Sequence, residues 1–320
     1  LRDYRIGHES RQISLMGRKE VLTGKAKFGI FGDGKEVPQL AMSHYFKEGD
    51  WRSGYYRDQT FMLAAGMMTL EEFFAQLYGD TDRKASPGSG GRMMNNHFST
   101  QILDENGEWK DLTKQKNTSA DISPTAGQMP RLLGLALASK LYRNNPELKV
   151  FKKFTNNGNE IAFGTIGDAS TSEGHFFETI NAIGVLKVPV VMSVWDDGWG
   201  ISVSRKYQTT KNSISEILRG FELDENGDGF KIFKVIGWNY PELLKVYYQA
   251  TELARKYHIP SIVHVVELTQ PQGHSTSGSH ERYKSPEQLD WENSHDCLLM
   301  MRKWMLDEKI ASAKELDRIE

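Results

Sequence analysis

The stretch Glu160–Ser202, "EIAFGTIGDASTSEGHFFETINAIGVLKVPVVMSVWDDGWGIS", decides the fold. Glu160–Ile166 is a short apolar run and reads as a strand. Residues 174–187 place Phe176, Ile180 and Ile183 on one helical face. Val188–Val194 is a second apolar run of strand length. A strand, a helix and a strand in that order make a parallel pair with a right-handed crossover. Gly167-Asp168-Ala169-Ser170 and Asp196-Asp197-Gly198 therefore fall at one edge of the sheet, beyond the carboxyl ends of its strands. Open α/β sheets bind ligands there.

Two carboxylates at one sheet edge repel unless a cation lies between them. Their oxygens suit a hard ion such as Mg²⁺ or Ca²⁺ rather than zinc, and Mg²⁺ commonly completes its shell with phosphate oxygens. The helix after Asp168 points its free N–H groups into the same crevice, and Gly167, Ala169 and Ser170 are small enough for close backbone approach. These features suggest a metal-bridged diphosphate. Taken singly, each aspartate reads more simply as a turn former or helix N-cap. The pair, ending consecutive strands of one unit, favours the site.

Outward from this unit the alternation continues. Phe230–Ile236 is a third strand, Pro241 opens a helix to about Tyr257, and Pro260–Leu268 is a fourth strand. The fold class expected is α/β, a mostly parallel sheet flanked by helices on both faces. Pro124–Leu141 reads as a buried helix, and "TLEEFFAQLYGD" as a helix ending near Gly79. Residues 1–55 read as irregular, and Ser285-Pro286-Glu287-Gln288 as a capping box that opens a helical region over 285–320. The whole of 1–320 is expected to form one domain. Asp224-Glu225-Asn226-Gly227-Asp228-Gly229 mimics the start of a calcium loop, but Val235 stands where the bidentate Glu is needed. It reads as a polar turn.

The chain has 320 residues, 40 basic and 42 acidic, for a net charge of −2. That balance gives no electrostatic footprint for nucleic acid or a membrane surface. One cysteine, Cys297, excludes an internal disulfide and fits a reducing compartment. With no apolar run of spanning length and no leader-like start, the expectation is cytoplasmic. The first residue is not methionine and the end falls inside a helical pattern, so a trimmed piece or one half of a longer protein is expected.

"GDASTSEG" followed by "LKVPVVMSVWDDGWGIS" resembles the thiamine-diphosphate motif, a Gly-Asp-Gly variant and then about thirty residues ending in Asn-Asn. The chain resembles the α subunit of thiamine-diphosphate-dependent 2-oxo acid dehydrogenases of the branched-chain and pyruvate type. "GYYRDQ" at 54–59, "GGRMMNNHF" at 90–98, "SPTAGQMPRLLGLALA" at 123–138 and "GHSTS" at 273–277 resemble further elements in the family's order.

The resemblance implies the thiamine-diphosphate-binding fold, diphosphate type, and the following roles. Asp168, Asp197 and the Trp199 carbonyl would bind Mg²⁺. Tyr56 and Arg57 would reach the diphosphate, with Gly167 and Ala169 beside it. Ser123 and Thr125 would lie near the aminopyrimidine, and Ile201 against the bent cofactor. His274 would serve proton or acyl transfer, with His97 as a second catalytic candidate or a satisfied structural histidine. Ser275 resembles a loop serine phosphorylated in some relatives; the plain loop serine is the preferred reading.

The implied reaction is oxidative decarboxylation of a 2-oxo acid, branched-chain first, with acyl transfer to lipoamide. The implied partners are a β subunit or fused β half in an α2β2-type assembly and a lipoyl-bearing acyltransferase. The activating glutamate would come from β, so this chain alone should bind metal and diphosphate but be poorly active. Three departures stand out: Asp at 196 and 197 where relatives carry Asn, Trp195 where branched-chain enzymes carry a phosphate-binding Arg, and Thr125 in place of a larger apolar residue. Two other readings stay open, a related half-enzyme (acetoin- or pyruvate-cleaving, or transketolase-like) and a degenerate subunit kept for assembly.

Overall fold

Strand β4, Val190–Trp195, is buried along its whole length, and its side chains divide by parity between two layers. Val191 and Trp195 join one core cluster; Val190, Met192 and Val194 join the other. In the computed structural model, which describes residues 1–276 and 279–320, this strand lies inside a six-stranded sheet. The other strands are β1 (Trp51–Ser53), β2 (Asn117–Thr118), β3 (Ala162–Gly167), β7 (Lys231–Ile236) and β8 (Ser261–Val266). Their order is β2-β1-β3-β4-β8-β7, and every pairing is parallel. A short antiparallel hairpin, β5 (Trp199–Gly200) with β6 (Val203–Ser204), stands apart from it.

Helices cover both faces, as parallel strands require. On one side lie α5 (Gln128–Asn144), α6 (Gly174–Leu186) and the short α7 (Ile214–Ile217), over Ile166, Phe176, Ile180, Ile183 and Ile262. On the other lie α1 (Arg2–Leu22), α2 (Glu36–Ser43), α3 (Gln59–Ala64), α4 (Leu70–Tyr78) and α8 (Tyr240–Tyr257), with α10 (Cys297–Asp307) and α11 (Ala313–Asp317) packed outside them. Helix α9, Pro286–Ser294, precedes α10. No described helix is long and apolar enough to cross a membrane.

Several boundaries have local causes. Thr69 and Glu72 form a complete capping box at α4, and Gly79 ends it at φ 69°. Asn239 caps α8 through Glu242 N, with Pro241 in its first turn. At α9 only half of the expected box forms. Ser285 accepts from Gln288 N at 3.3 Å, but the Gln288 side chain donates to Glu292 instead. Asp224 accepts from Asn226 N and Asp228 N, each at 2.9 Å, which is a polar turn.

The N-terminal expectation was wrong. Residues 2–22 form a 21-residue helix, and α2 and β1 also lie within the segment expected to be irregular. The buried face of α1 is Tyr4, Gly7, Ser10, Ile13, Ser14 and Gly17. The helical period is present, but in small and polar residues. They allow close packing: a Cβ on Gly17 would meet the Phe31 ring at 2.4 Å. Ser10 and Ser14 bond to Thr60 and Gln59 of α3.

Candidate active site

Strands β3 and β4 run in register from Ala162↔Val190 to Gly167↔Trp195, so the two acidic strand ends meet. The Asp168 amide donates to Trp195 O at 3.0 Å. Asp168 enters a short 3-10 turn, Ala169–Ser172, and α6 starts only at Gly174. The free N–H groups next to Asp168 therefore belong to that turn rather than to α6.

The three acids have separate environments. Asp196 shapes the loop: its Oδ1 accepts from Gly198 N at 3.0 Å, and its Oδ2 accepts from His264 Nε2 at 2.7 Å and from Arg205. Burial acts to raise its pKa, but His264 and Arg205 outweigh that and hold it below the usual range. Asp197 accepts from Trp199 N at 3.1 Å, from His274 Nε2 at 3.0 Å and from Lys35 Nζ at 2.8 Å. Burial again opposes ionisation; His274 and Lys35 overcome it and hold the group far below the usual carboxylate range.

Asp168 is different. Its side chain makes no cap hydrogen bond, and its Oδ2 is buried without a partner. Burial first, then the negative charges of Asp197 and Asp196, push its pKa well above the ordinary value. Asp168 stands at the N-cap position of the Ala169–Ser172 turn, but its side chain does not cap it.

Arg57 is buried, donates to Phe31 O and, at 3.0 Å, to His274 O, and leaves Nε without a partner. His274 gives its Nε2–H to Asp197, and its buried Nδ1 has no partner. Burial lowers the His274 pKa despite Asp197 beside it, so the neutral ring presents Nδ1 as an acceptor. Three unpartnered polar atoms thus belong to one linked cluster: a carboxylate oxygen, a guanidinium N–H and an imidazole nitrogen. Asp168 can hold a cation, Arg57 can meet an anion, and His274 Nδ1 can accept a proton. Among the described residues no group of three or more His, Cys, Asp or Glu could hold a metal ion. The donor set fits an ion that takes part of its shell from a bound phosphate.

The remaining site residues fall into two groups. Tyr56 is half-buried, with the Arg57 guanidinium 5.4 Å from its ring centroid and the His97 ring stacked at 6.5 Å. His97 is buried, its Nδ1 3.0 Å from Asn95 O and its Nε2 3.2 Å from Ser123 Oγ. Both ring nitrogens are engaged, and burial lowers its pKa. Trp199 donates its amide to Asp197 and packs its ring on Tyr283. Ser123, Thr125 and Ile201 are exposed; Ser123 bonds to His97, Thr125 O accepts from His175, and Ile201 sits at φ 55° between β5 and β6.

Gly167 and Ala169 are small for reasons within the chain. A Cβ on Gly167 would meet Tyr55 Oη at 2.8 Å, and one on Gly200 would meet Ala169 Cβ at 2.7 Å. Ser277, the last residue of the His274 stretch, lies outside the described residues.

Sequence reasoning missed Lys35, His264 and Arg205, the groups that hold the two loop acids. For Lys35 a signal existed: Gly32-Asp33-Gly34-Lys35 is a glycine-flanked cation before a helix. It also left the role of Trp195 open. Trp195 is fully buried and gives its Nε1–H to Asp58 Oδ1 at 3.2 Å, so it cannot stand in for an arginine that touches phosphate.

The family model described as dehydrogenase E1 component matches residues 11–320. The chain is 25% identical over 291 residues to the 2-oxoisovalerate dehydrogenase subunit alpha of Bacillus subtilis, covering 91% of this chain and 76% of that protein. It is 26% identical over 292 residues to the pyruvate dehydrogenase E1 component subunit alpha of Rickettsia felis, covering 90% and 76%. It is 26% identical over 284 residues to the mitochondrial 2-oxoisovalerate dehydrogenase subunit alpha 2 of Arabidopsis thaliana, covering 88% of this chain and about half, 52%, of that protein. With the match running through both loop acids and the His274 loop, this chain belongs to the dehydrogenase E1 component family, which depends on thiamine diphosphate.

Proposed function

We propose that this chain is the α part of a 2-oxo acid dehydrogenase, decarboxylating a branched-chain 2-oxo acid and passing the acyl group to lipoamide. The carrying observation is the linked set of unpartnered buried atoms, Asp168 Oδ2, Arg57 Nε and His274 Nδ1. Leaving a buried polar group unmet costs about 1–3 kcal/mol, so a ligand that meets all three is favoured.

Asp168, Asp197 and the Trp199 carbonyl would hold Mg²⁺, and Arg57 and Tyr56 would meet the diphosphate. Thiamine diphosphate, when bound, supplies the nucleophilic carbon and the electron sink for decarboxylation. His274 takes or returns a proton at Nδ1, with its ring fixed by Asp197. His97, engaged at both nitrogens, orients Tyr56 and Ser123. The exposed Ser123, Thr125 and Ile201 would be covered by a β subunit or fused β half, and a lipoyl-bearing acyltransferase would take the product.

The test is calorimetric titration of the protein, with its β part present, by thiamine diphosphate with and without Mg²⁺. Mg²⁺-dependent binding is expected, and Asp168→Asn should abolish it while leaving the apo melting temperature unchanged or raised. Absence of such binding in the natural sequence refutes the proposal. Turnover of 2-oxoisovalerate against pyruvate then assigns the substrate. One observation favours the assembly-only reading: Asp197 is already satisfied by Lys35 and His274. The same titration decides between the two.

A further inference from the structure

Asp197 faces donors only. Lys35 Nζ, the Trp199 amide and His274 Nε2 all point hydrogens at its two oxygens. Two acceptor oxygens satisfy that surround. An asparagine here would offer one oxygen and one NH₂. In this chain its NH₂ would have to face an ammonium, an amide N–H or an imidazole N–H.

Lys35 is not a flexible surface lysine that happens to reach in. Its side chain is 2% exposed, and it uses all three ammonium hydrogens, on Asp197 Oδ2 at 2.8 Å, Thr269 O at 3.0 Å and Gln270 Oε1 at 2.8 Å. The turn carrying it is pressed against those partners. Gly34 sits at φ 85°, where a Cβ would meet Thr269 O at 2.2 Å, and a Cβ on Gly32 would meet Arg57 O at 2.3 Å. Lys35 and Asp197 together carry no net charge.

We propose that Lys35 is a positioning residue of the cation site, paired with Asp197 so that the two act as one neutral unit beside the metal. The lysine fixes the carboxylate's orientation and cancels its charge, leaving Asp168, whose Oδ2 meets no partner, as the carboxyl group open to the metal. This rests on the function proposed above. It predicts that asparagine is the wrong residue at position 197 unless Lys35 changes with it.

The experiment is a double-mutant cycle in the protein with its β part, reading the Mg²⁺ dissociation constant at saturating thiamine diphosphate and the apo melting temperature. Asp197→Asn and Lys35→Gln should each weaken Mg²⁺ at least ~10-fold, and the double variant should recover at least ~10-fold over Asp197→Asn, a coupling within the range measured for contacting residues. Lys35→Arg, which keeps the charge, should bind more tightly than Lys35→Gln. The apo melting temperatures should follow the same cycle, so a single variant that fails to fold and is rescued in the double still supports the pairing. Asp197→Asn binding as tightly as the natural sequence, or a double variant no better than Asp197→Asn, overturns it. Absent binding in the natural sequence refutes the proposed function instead, so the two failures are distinct.

Discussion

Replacing Arg52 by methionine should unsettle the floor of the site, with a pH dependence opposite to ordinary acid denaturation. Arg52 is fully buried between two carboxylates. Its Nε and Nη2 donate to Asp58 at 2.9 and 2.7 Å, and its Nη1 bonds to both Asp121 oxygens at 3.1 and 3.0 Å. Asp58 in turn holds Tyr55 N and Trp195 Nε1, joining β1 to the end of β4. Removing one partner of a buried ion pair costs ~3–5 kcal/mol, because the other charge stays buried. That is a large share of the ~5–15 kcal/mol that holds a domain together. Burial already pushes Asp121 up to about 6, against the lowering effect of Arg52, and without the guanidinium it would rise further. A carboxyl whose folded pKa lies above its unfolded ~3.9 favours the folded state at low pH and loses that benefit as pH rises through the folded value. The variant's penalty should therefore be largest near pH 7.5 and smaller at pH 5.5. Urea unfolding followed by tryptophan fluorescence at both pH values measures it. A loss under ~1 kcal/mol at pH 7.5, where breaking a buried pair should cost several times that, or a larger loss at pH 5.5, would refute the reasoning.

Two further outcomes follow from the same geometry. Burial lowers the pKa of His258 to about 4, and its Nε2 lies 3.0 Å from Gly158 O. Its folded value lies below its unfolded value, so the unfolded chain takes the proton first and stability falls as pH drops from about 6.5 towards 4. His258→Asn, tolerated at the left-handed φ of 55°, should flatten that acid limb in a thermal-melt series; an unchanged slope speaks against the assignment. Trp195→Arg should destabilise by at least ~3 kcal/mol, since it breaks a filled core position. It should also leave thiamine-diphosphate affinity no better in the calorimeter, and tighter binding would contradict the burial argument.

The inner strands β3, β4 and β8 were legible because they are buried on both faces and read as near-continuous apolar runs. Helix α6 was legible because Phe176, Ile180 and Ile183 carry its period in apolar residues. Helix α1 was not, since its buried stripe is written in Gly and Ser, which hydrophobic periodicity does not register. Strand β1 hides for a related reason: it is three residues long and contains the buried Arg52. In the site, Asp168 and Asp197 could be found because strand ends of a parallel sheet meet by topology alone. Lys35 meets Asp197 across 162 positions, and only the folded Gly32–Lys35 turn brings it there.

The two competing readings of "WDDGWG", a turn and a ligand loop, make different demands on the three acids around it. A turn without a ligand has no reason to leave any of them unmet, and burial penalises doing so. Asp196 meets that demand with Gly198 N, His264 and Arg205, and Asp197 meets it with Trp199 N, His274 and Lys35. Asp168, one strand away, has an oxygen that meets nothing, and its two neighbours' charges act against it. The loop thus spends two acids on its own structure and leaves one open. Arg57 repeats the pattern with opposite sign, two nitrogens bound to carbonyls and Nε open. An open carboxyl oxygen on Asp168 and an open guanidinium N–H on Arg57 are what a metal-bound diphosphate needs. A subunit kept only for assembly would be expected to have closed both, as it has closed every oxygen of Asp196 and Asp197.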